Sequence, residues 1–157
     1  MNIDTFLNLS AEVYPEVAES LDRLNVWDRV MHVESEEAAI FLLANYYIRT
    51  GKYRKDKALK KTKDINLLFA SGVKYAEEHL LKHFGRKYVP LGQVQQHRRG
   101  DVSLPFGGGP EVLAAIYSTM QKDGRMKPVA GESYIQLVKF SETGPEIETI
   151  NAYGASA

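Results

Sequence analysis

The sequence predicts an α+β fold, with helices first and a β-hairpin last. In the first half, apolar residues recur at three- and four-residue intervals, the spacing of one helix face; in the last third, Gly and Pro punctuate the chain and apolar residues alternate with a period of two. The chain has 157 residues and is 44% hydrophobic, enough to bury a core as one ordinary domain.

Taken in order, Pro15 sits at a tolerated first-turn position after Ser10, and Val17, Leu21 and Leu24 fall at helical spacing. This predicts a short amphipathic helix ending near Asn25, with Trp27 in the following turn. Ser35 is a candidate N-cap, and Glu36 and Glu37 would lie at the positive end of a helix dipole. The run AAIFLLANYYI, Ala38 to Ile48, is apolar almost all round and predicts a buried helix closed by Gly51. The basic connector KYRKDKALKKTKD follows, Lys52 to Asp64, helical only at its centre and otherwise a solvated face. From Ile65, the positions Phe69, Val73, Ala76, Leu80 and Phe84 trace a long helix face that Gly85 stops. Tyr88 to Gly92 reads as a turn or a short extended piece. In LPFGGGP, Leu104 to Pro110, the glycines reverse the chain and Pro110 starts a helix EVLAAIYSTM. SYIQLVKF, Ser133 to Phe140, reads as a strand buried on most of both faces; SETGP is a turn, and EIETINAY, Glu146 to Tyr153, is the partner strand. The single segment 1–157 is thus mainly helical over 10–85, a Gly/Pro-rich loop plus helix over 86–130, and a β-hairpin over 131–157.

Lys+Arg and Asp+Glu both number 20, so no overall field recruits nucleic acid, an anionic membrane or an acidic substrate. Cysteine is absent, which excludes disulfides, a thiolate nucleophile and Cys-ligated zinc. No signal peptide or membrane span is visible.

No motif by itself makes an active site. After the glycines, a Walker loop needs Lys and Ser or Thr, but Pro110 and Glu111 follow. HRRGD, His97 to Asp101, offers an Arg-Gly-Asp tripeptide and two arginines; the simpler reading pairs Arg98 or Arg99 with Asp101 or a nearby carbonyl. His79 and His83 have the i,i+4 spacing of a metal clasp, but Leu80 stands where zinc proteases place Glu, which leaves two partly exposed residues near a helix C-terminus. Glu36/Glu37 and Glu77/Glu78 are adjacent pairs that diverge on a helix. No G-x-S-x-G elbow is present. A weaker reading gives Lys52 to Lys63 a nucleic-acid role, through Lys57, Lys60 and Lys61, although only Tyr53 interleaves as an aromatic. The residues therefore assign no catalytic, cofactor-binding or metal-binding position, and no cofactor.

The order of several segments is more telling: WD at Trp27-Asp28, VESEEAAIF at Val33 to Phe41, RRGDVSLPFGGGPEVL at Arg98 to Leu113, and GESYIQLVKF through INAYGAS. This series, over roughly Pro15 to Ala157, resembles the later β-chain region of the penicillin amidase (penicillin acylase) family, in its acyl-homoserine-lactone and aculeacin acylase branch. The resemblance implies part of a four-layer α/β/β/α sandwich of an N-terminal-nucleophile hydrolase. In such enzymes a Ser freed by self-cleavage attacks an amide with its own α-amino group as base. Implied substrates are N-acylated amines such as penicillins, acyl-homoserine lactones and lipopeptide antibiotics; implied partners are an upstream α-chain and the N-terminal β-chain segment. Export to the periplasm or outside is implied as well. Met1 and Asn2 offer no nucleophile, and the family's nucleophile, nearby His and oxyanion-hole Asn have no counterpart here, so no catalytic residue carries over. The expectation is a segment of a larger acylase, inactive alone; the alternative is a stand-alone, non-catalytic binding or scaffold domain that kept the core.

Overall fold

The computed structural model describes residues 12, 14–110, 115–132 and 134–151. A 3-10 turn, Pro15–Val17, leads into α1 (Ala18–Val26), followed by α2 (Glu36–Arg49), a second 3-10 turn (Lys52–Lys55), α3 (Ile65–Phe84) and the short α4 (Leu91–Val94). Local chemistry sets these boundaries. Ser35 Oγ accepts the Ala38 N–H at 3.1 Å, and Glu36 and Glu37 occupy the first turn of α2. Asp64 Oδ1 accepts the N–H groups of Asn66 and Leu67 at 2.9 and 3.2 Å, and Gly85 closes α3 in the left-handed region. The turn or extended piece expected around Tyr88 gives way at Leu91 to α4, whose first carbonyl accepts the Gln95 N–H at 2.7 Å.

The core lies where α2 and α3 pack against each other and against α1 and α4. Ile40, Leu43, Val73, Ala76, Leu80 and Leu91 are wholly buried there, and Phe41 stacks between Trp27 and Phe69. The two long helices come close at Gly72, where a Cβ would lie 3.1 Å from the Ala44 carbonyl oxygen. A side chain there would push the backbones apart. Among the described residues, no helix is long and apolar enough to cross a membrane. The connector is largely exposed as expected, apart from Leu59, which is buried.

Among the described residues, six strands form three separate antiparallel pairs: β1 (Gln96–Arg99) with β2 (Val102–Pro105), β3 (Ala115–Met120) with β4 (Met126–Glu132), and β5 (Tyr134–Ser141) with β6 (Gly144–Asn151). An isolated bridge between Gln95 and Met126 joins the first two pairs. The helix expected from Glu111 is corrected here. Residues 111–114 lie outside the described ones, and Ala115–Met120 is a strand, not a helix. Ile116, Tyr117 and Thr119 favour extended backbone, and burial alternates, with Ile116 and Ser118 inside and Tyr117 and Thr119 outside. A tight turn then returns the chain, with the Gln121 N–H bonded to the Arg125 carbonyl at 2.8 Å.

The terminal hairpin forms at the expected place, turning at Glu142 and Thr143. Its burial is corrected. Leu137 and Val138 point to opposite faces, yet both are exposed, and Phe140 is 83% accessible. The two strands pair with each other, and among the described residues none of their side chains belongs to the core cluster.

Candidate functional site

A polar network centres on Gln95, which is wholly buried at the end of α4. Its Nε2 donates to the carbonyls of Phe106, Gly107 and Gly108 at 3.0, 3.3 and 2.9 Å. Two amide hydrogens thus serve three acceptors, so one is shared. Its Oε1 accepts from Ser118 Oγ of β3 at 2.7 Å, and its backbone carbonyl accepts the Phe106 N–H at 3.0 Å. Gly108, at φ +82°, donates its N–H to the Met31 carbonyl at 2.9 Å. A Cβ on Gly107 would lie 2.9 Å from that same carbonyl, and one on Gly109 would lie 2.6 Å from Met31 Cε.

The triple glycine is therefore a backbone seat, since its three carbonyls and the Gly108 N–H are spent within the protein. It lays the chain against Met31 and Gln95 and delivers strand β3, where the sequence suggested a following helix. Arg49 at the end of α2 holds that strand, donating from Nη2 to the Ser118 carbonyl at 3.2 Å and lying 5.6 Å from the Tyr117 ring centre. Sequence reasoning missed Gln95. A polar residue among QVQQH carries no periodic signal, and its importance comes from partners 11 to 13 and 23 positions away.

His79 is buried, contrary to the partly exposed residue expected, whereas His83 is exposed. The difference arises because the β3–β4 turn folds over α3. The His79 Nε2 lies 2.7 Å from the Gly124 carbonyl, which can only accept, so that nitrogen carries hydrogen and donates. The two imidazoles lie tilted against each other with centres 4.5 Å apart, and the His83 ring occupies the space a Cβ on Gly124 would need. Burial lowers the His79 pKa; the Gly124 bond opposes this, while the positive character of His83, Lys52 and Lys82 adds to the lowering. Among the described residues, no group of three or more His, Cys, Asp or Glu is arranged to hold a metal ion.

Of the two acidic pairs, the first departs from expectation and the second diverges as expected. Glu36 and Glu37 do not diverge: both meet Arg23 of α1, with oxygens 2.7 and 2.6 Å from Nη2, while the guanidinium sits 3.9 Å from the Tyr88 ring centre. Burial works against the Glu37 carboxylate, but backbone and Arg23 hydrogen bonds outweigh it and keep its pKa below the usual value. Glu77 is buried while Glu78 is exposed. Ser20 Oγ donates to Glu77 Oε1 at 2.6 Å, and Lys87 Nζ lies 2.7 Å from Oε2. A serine beside a carboxylate resembles an activated nucleophile, yet Ser20 is wholly inaccessible to a substrate. The group fastens α1 to α3. Arg98 and Arg99 stand on exposed β1, Gly100 turns the hairpin at φ +59°, and among the described residues no ion pair joins either arginine to Asp101.

A family model described as penicillin amidase matches residues 1–157. The acyl-homoserine lactone acylase PvdQ of Pseudomonas putida is 42% identical over 69 residues, which make up 42% of this chain and 8% of that protein. The protein of the same name from Pseudomonas fluorescens strain Pf-5 is 38% identical over 72 residues, 44% of this chain and 9% of its own length. That from Pseudomonas syringae pv. syringae is 36% identical over 70 residues, 42% of this chain and 9% of the relative. The matched stretch is thus a small share of each of these curated relatives.

Proposed function

Because the chain belongs to the penicillin amidase family, a family of amide-hydrolysing acylases, we propose that it forms the later β-chain scaffold of such an enzyme and works only with upstream segments. The observation that carries this reading is the terminal hairpin. Strands with apolar side chains on both faces belong inside a layered sheet, and Leu137, Val138, Phe140 and Ile147 are left exposed. A four-layer α/β/β/α sandwich would cover both faces. Upstream strands would extend the pair, and helices would close over it.

In the complete enzyme the attacking hydroxyl is a terminal Ser supplied upstream. Its oxygen adds to the acyl carbonyl, the C–N bond breaks, the amine leaves with a proton, and water then releases the acid. The proposed substrates are N-acylated amines of the acyl-homoserine-lactone, penicillin and lipopeptide kind, and the proposed compartment is the periplasm or the exterior. The buried pair of Gln95 and Ser118, with Arg49 bound from the surface to the Ser118 carbonyl, supports this division of labour, since it fixes backbone and exposes no nucleophile.

Co-expression with an upstream acylase segment tests the partnership. The two should co-purify, and Val138→Lys with Phe140→Lys should abolish the association while leaving the helical core folded. Association that survives both substitutions undiminished would remove the hairpin from the joining surface.

A further inference from the structure

The tips of the first two hairpins face a common groove. From β1–β2 come Gln96, Arg98, Gly100 and Ser103; from the β3–β4 turn and its flanks come Gln121, Lys122, Asp123, Arg125 and Lys127. The space between them is about 580 Å³, within the range of small-ligand sites. The chain as a whole is neutral, but here four cations surround one carboxylate.

That carboxylate is already occupied. Asp123 Oδ2 lies 3.2 Å from Arg125 Nη1, and its Oδ1 accepts the Arg125 N–H at 3.1 Å. Among the described residues, no carboxylate pairs with Arg98, Lys122 or Lys127. Arg125 is further held by the Phe84 ring, 5.6 Å from its guanidinium carbon, so one fork is fixed before any ligand arrives. Ser103 Oγ donates to Gln96 Oε1 at 2.8 Å, and Gln96 Nε2 donates to the Gly92 carbonyl at 3.1 Å, which steadies the opposite wall. The bridge between Gln95 and Met126 keeps the two hairpins side by side. Arg98's charge reaches across to Asp123, whose carboxyl lies below its usual pKa chiefly through the Arg125 backbone N–H and side chain, with Arg98 adding to the lowering.

We propose that this groove binds a compact multivalent oxyanion of the phosphate-ester or pyrophosphate class, with Arg98, Lys122, Arg125 and Lys127 as its cationic partners. The Arg98 fork offers paired N–H donors to adjacent oxygens, Arg125 adds fixed charge beside it, and two ammonium groups supply mobile charge on either side. A monovalent anion would engage part of this set; a multivalent one spans it.

Calorimetric titration of the purified protein with inorganic pyrophosphate tests the assignment. Binding should be saturable with one site per chain, weaken as sodium chloride is raised, and fall at least tenfold in Arg98→Gln/Lys127→Gln, two exposed positions whose replacement leaves the melting temperature unchanged. Lys57→Gln/Lys60→Gln/Lys61→Gln, in the exposed connector, should bind as the wild type does. The single variant Lys122→Gln should show an intermediate loss. Flotation with phosphatidate-containing vesicles separates the two sources of the phosphate: co-flotation lost in the groove variant assigns a lipid headgroup, and none assigns a soluble ester. Absence of pyrophosphate binding, or equal loss in the groove and connector variants, would overturn the site.

Discussion

Gln95 shows how one side chain can settle a stretch of backbone that has no secondary structure of its own. Its amide is the partner of three consecutive carbonyls, and replacing it by Leu would leave them, and the buried Ser118 Oγ, without that donor and acceptor. Gln95→Leu should cost about 2–4 kcal/mol, read by denaturant unfolding. A loss under about 0.5 kcal/mol would mean that water replaces the amide at no cost. Gly108→Val should also lower the melting temperature, because a β-branched residue is strained at φ +82°.

His79 gives a pH dependence whose sign follows from its burial. The neutral ring is favoured in the folded protein, so as pH falls the unfolded chain takes up this proton first. The contribution is fully present above the ordinary histidine value of about 6.5 and is lost as pH falls from there toward the lowered folded value. Thermal melting between about pH 8 and about pH 5 should therefore show a decline that His79→Gln flattens, since a glutamine amide can still donate to the Gly124 carbonyl. Equal slopes in the two proteins would show that His79 does not set it. At this scale little was legible in sequence. The spacing of His79 and His83 was visible, but the carbonyl that engages His79 arrives from a turn 45 residues later.

Among the elements, those governed by local signals were readable and those governed by distant pairing were not. Ser35, the apolar face from Phe69 to Phe84 and Gly85 each state a helix boundary or face within a few residues. Residues 115–120 state nothing so plain. AIYSTM suits either conformation, and the pairing with Met126–Glu132 decides for the strand. Gly72 lay unremarked inside the long helix because its reason, the Ala44 backbone at 3.1 Å, sits on another element. Gly72→Leu should separate α2 from α3 and cost about 3 kcal/mol or more, checked by chemical denaturation. A change within about 0.5 kcal/mol would place the close approach elsewhere.

The described residues combine a buried helical core with a hairpin whose Leu137, Val138, Phe140 and Ile147 are exposed. Both strands of that hairpin were legible from their alternation, but their burial was inferred from apolar content alone, which cannot say which chain supplies the cover. The Gln95 network, the Ser20–Glu77–Lys87 group and the Arg23 clamp join helices and strands without offering a reacting group to solvent. These contacts suit the scaffold role proposed for the chain. Incubation of the purified chain with a chromogenic acyl-amide, alone and then co-expressed with an upstream acylase segment, tests that claim most directly. The account predicts no hydrolysis in the first case and turnover in the second; turnover by the chain alone would contradict it.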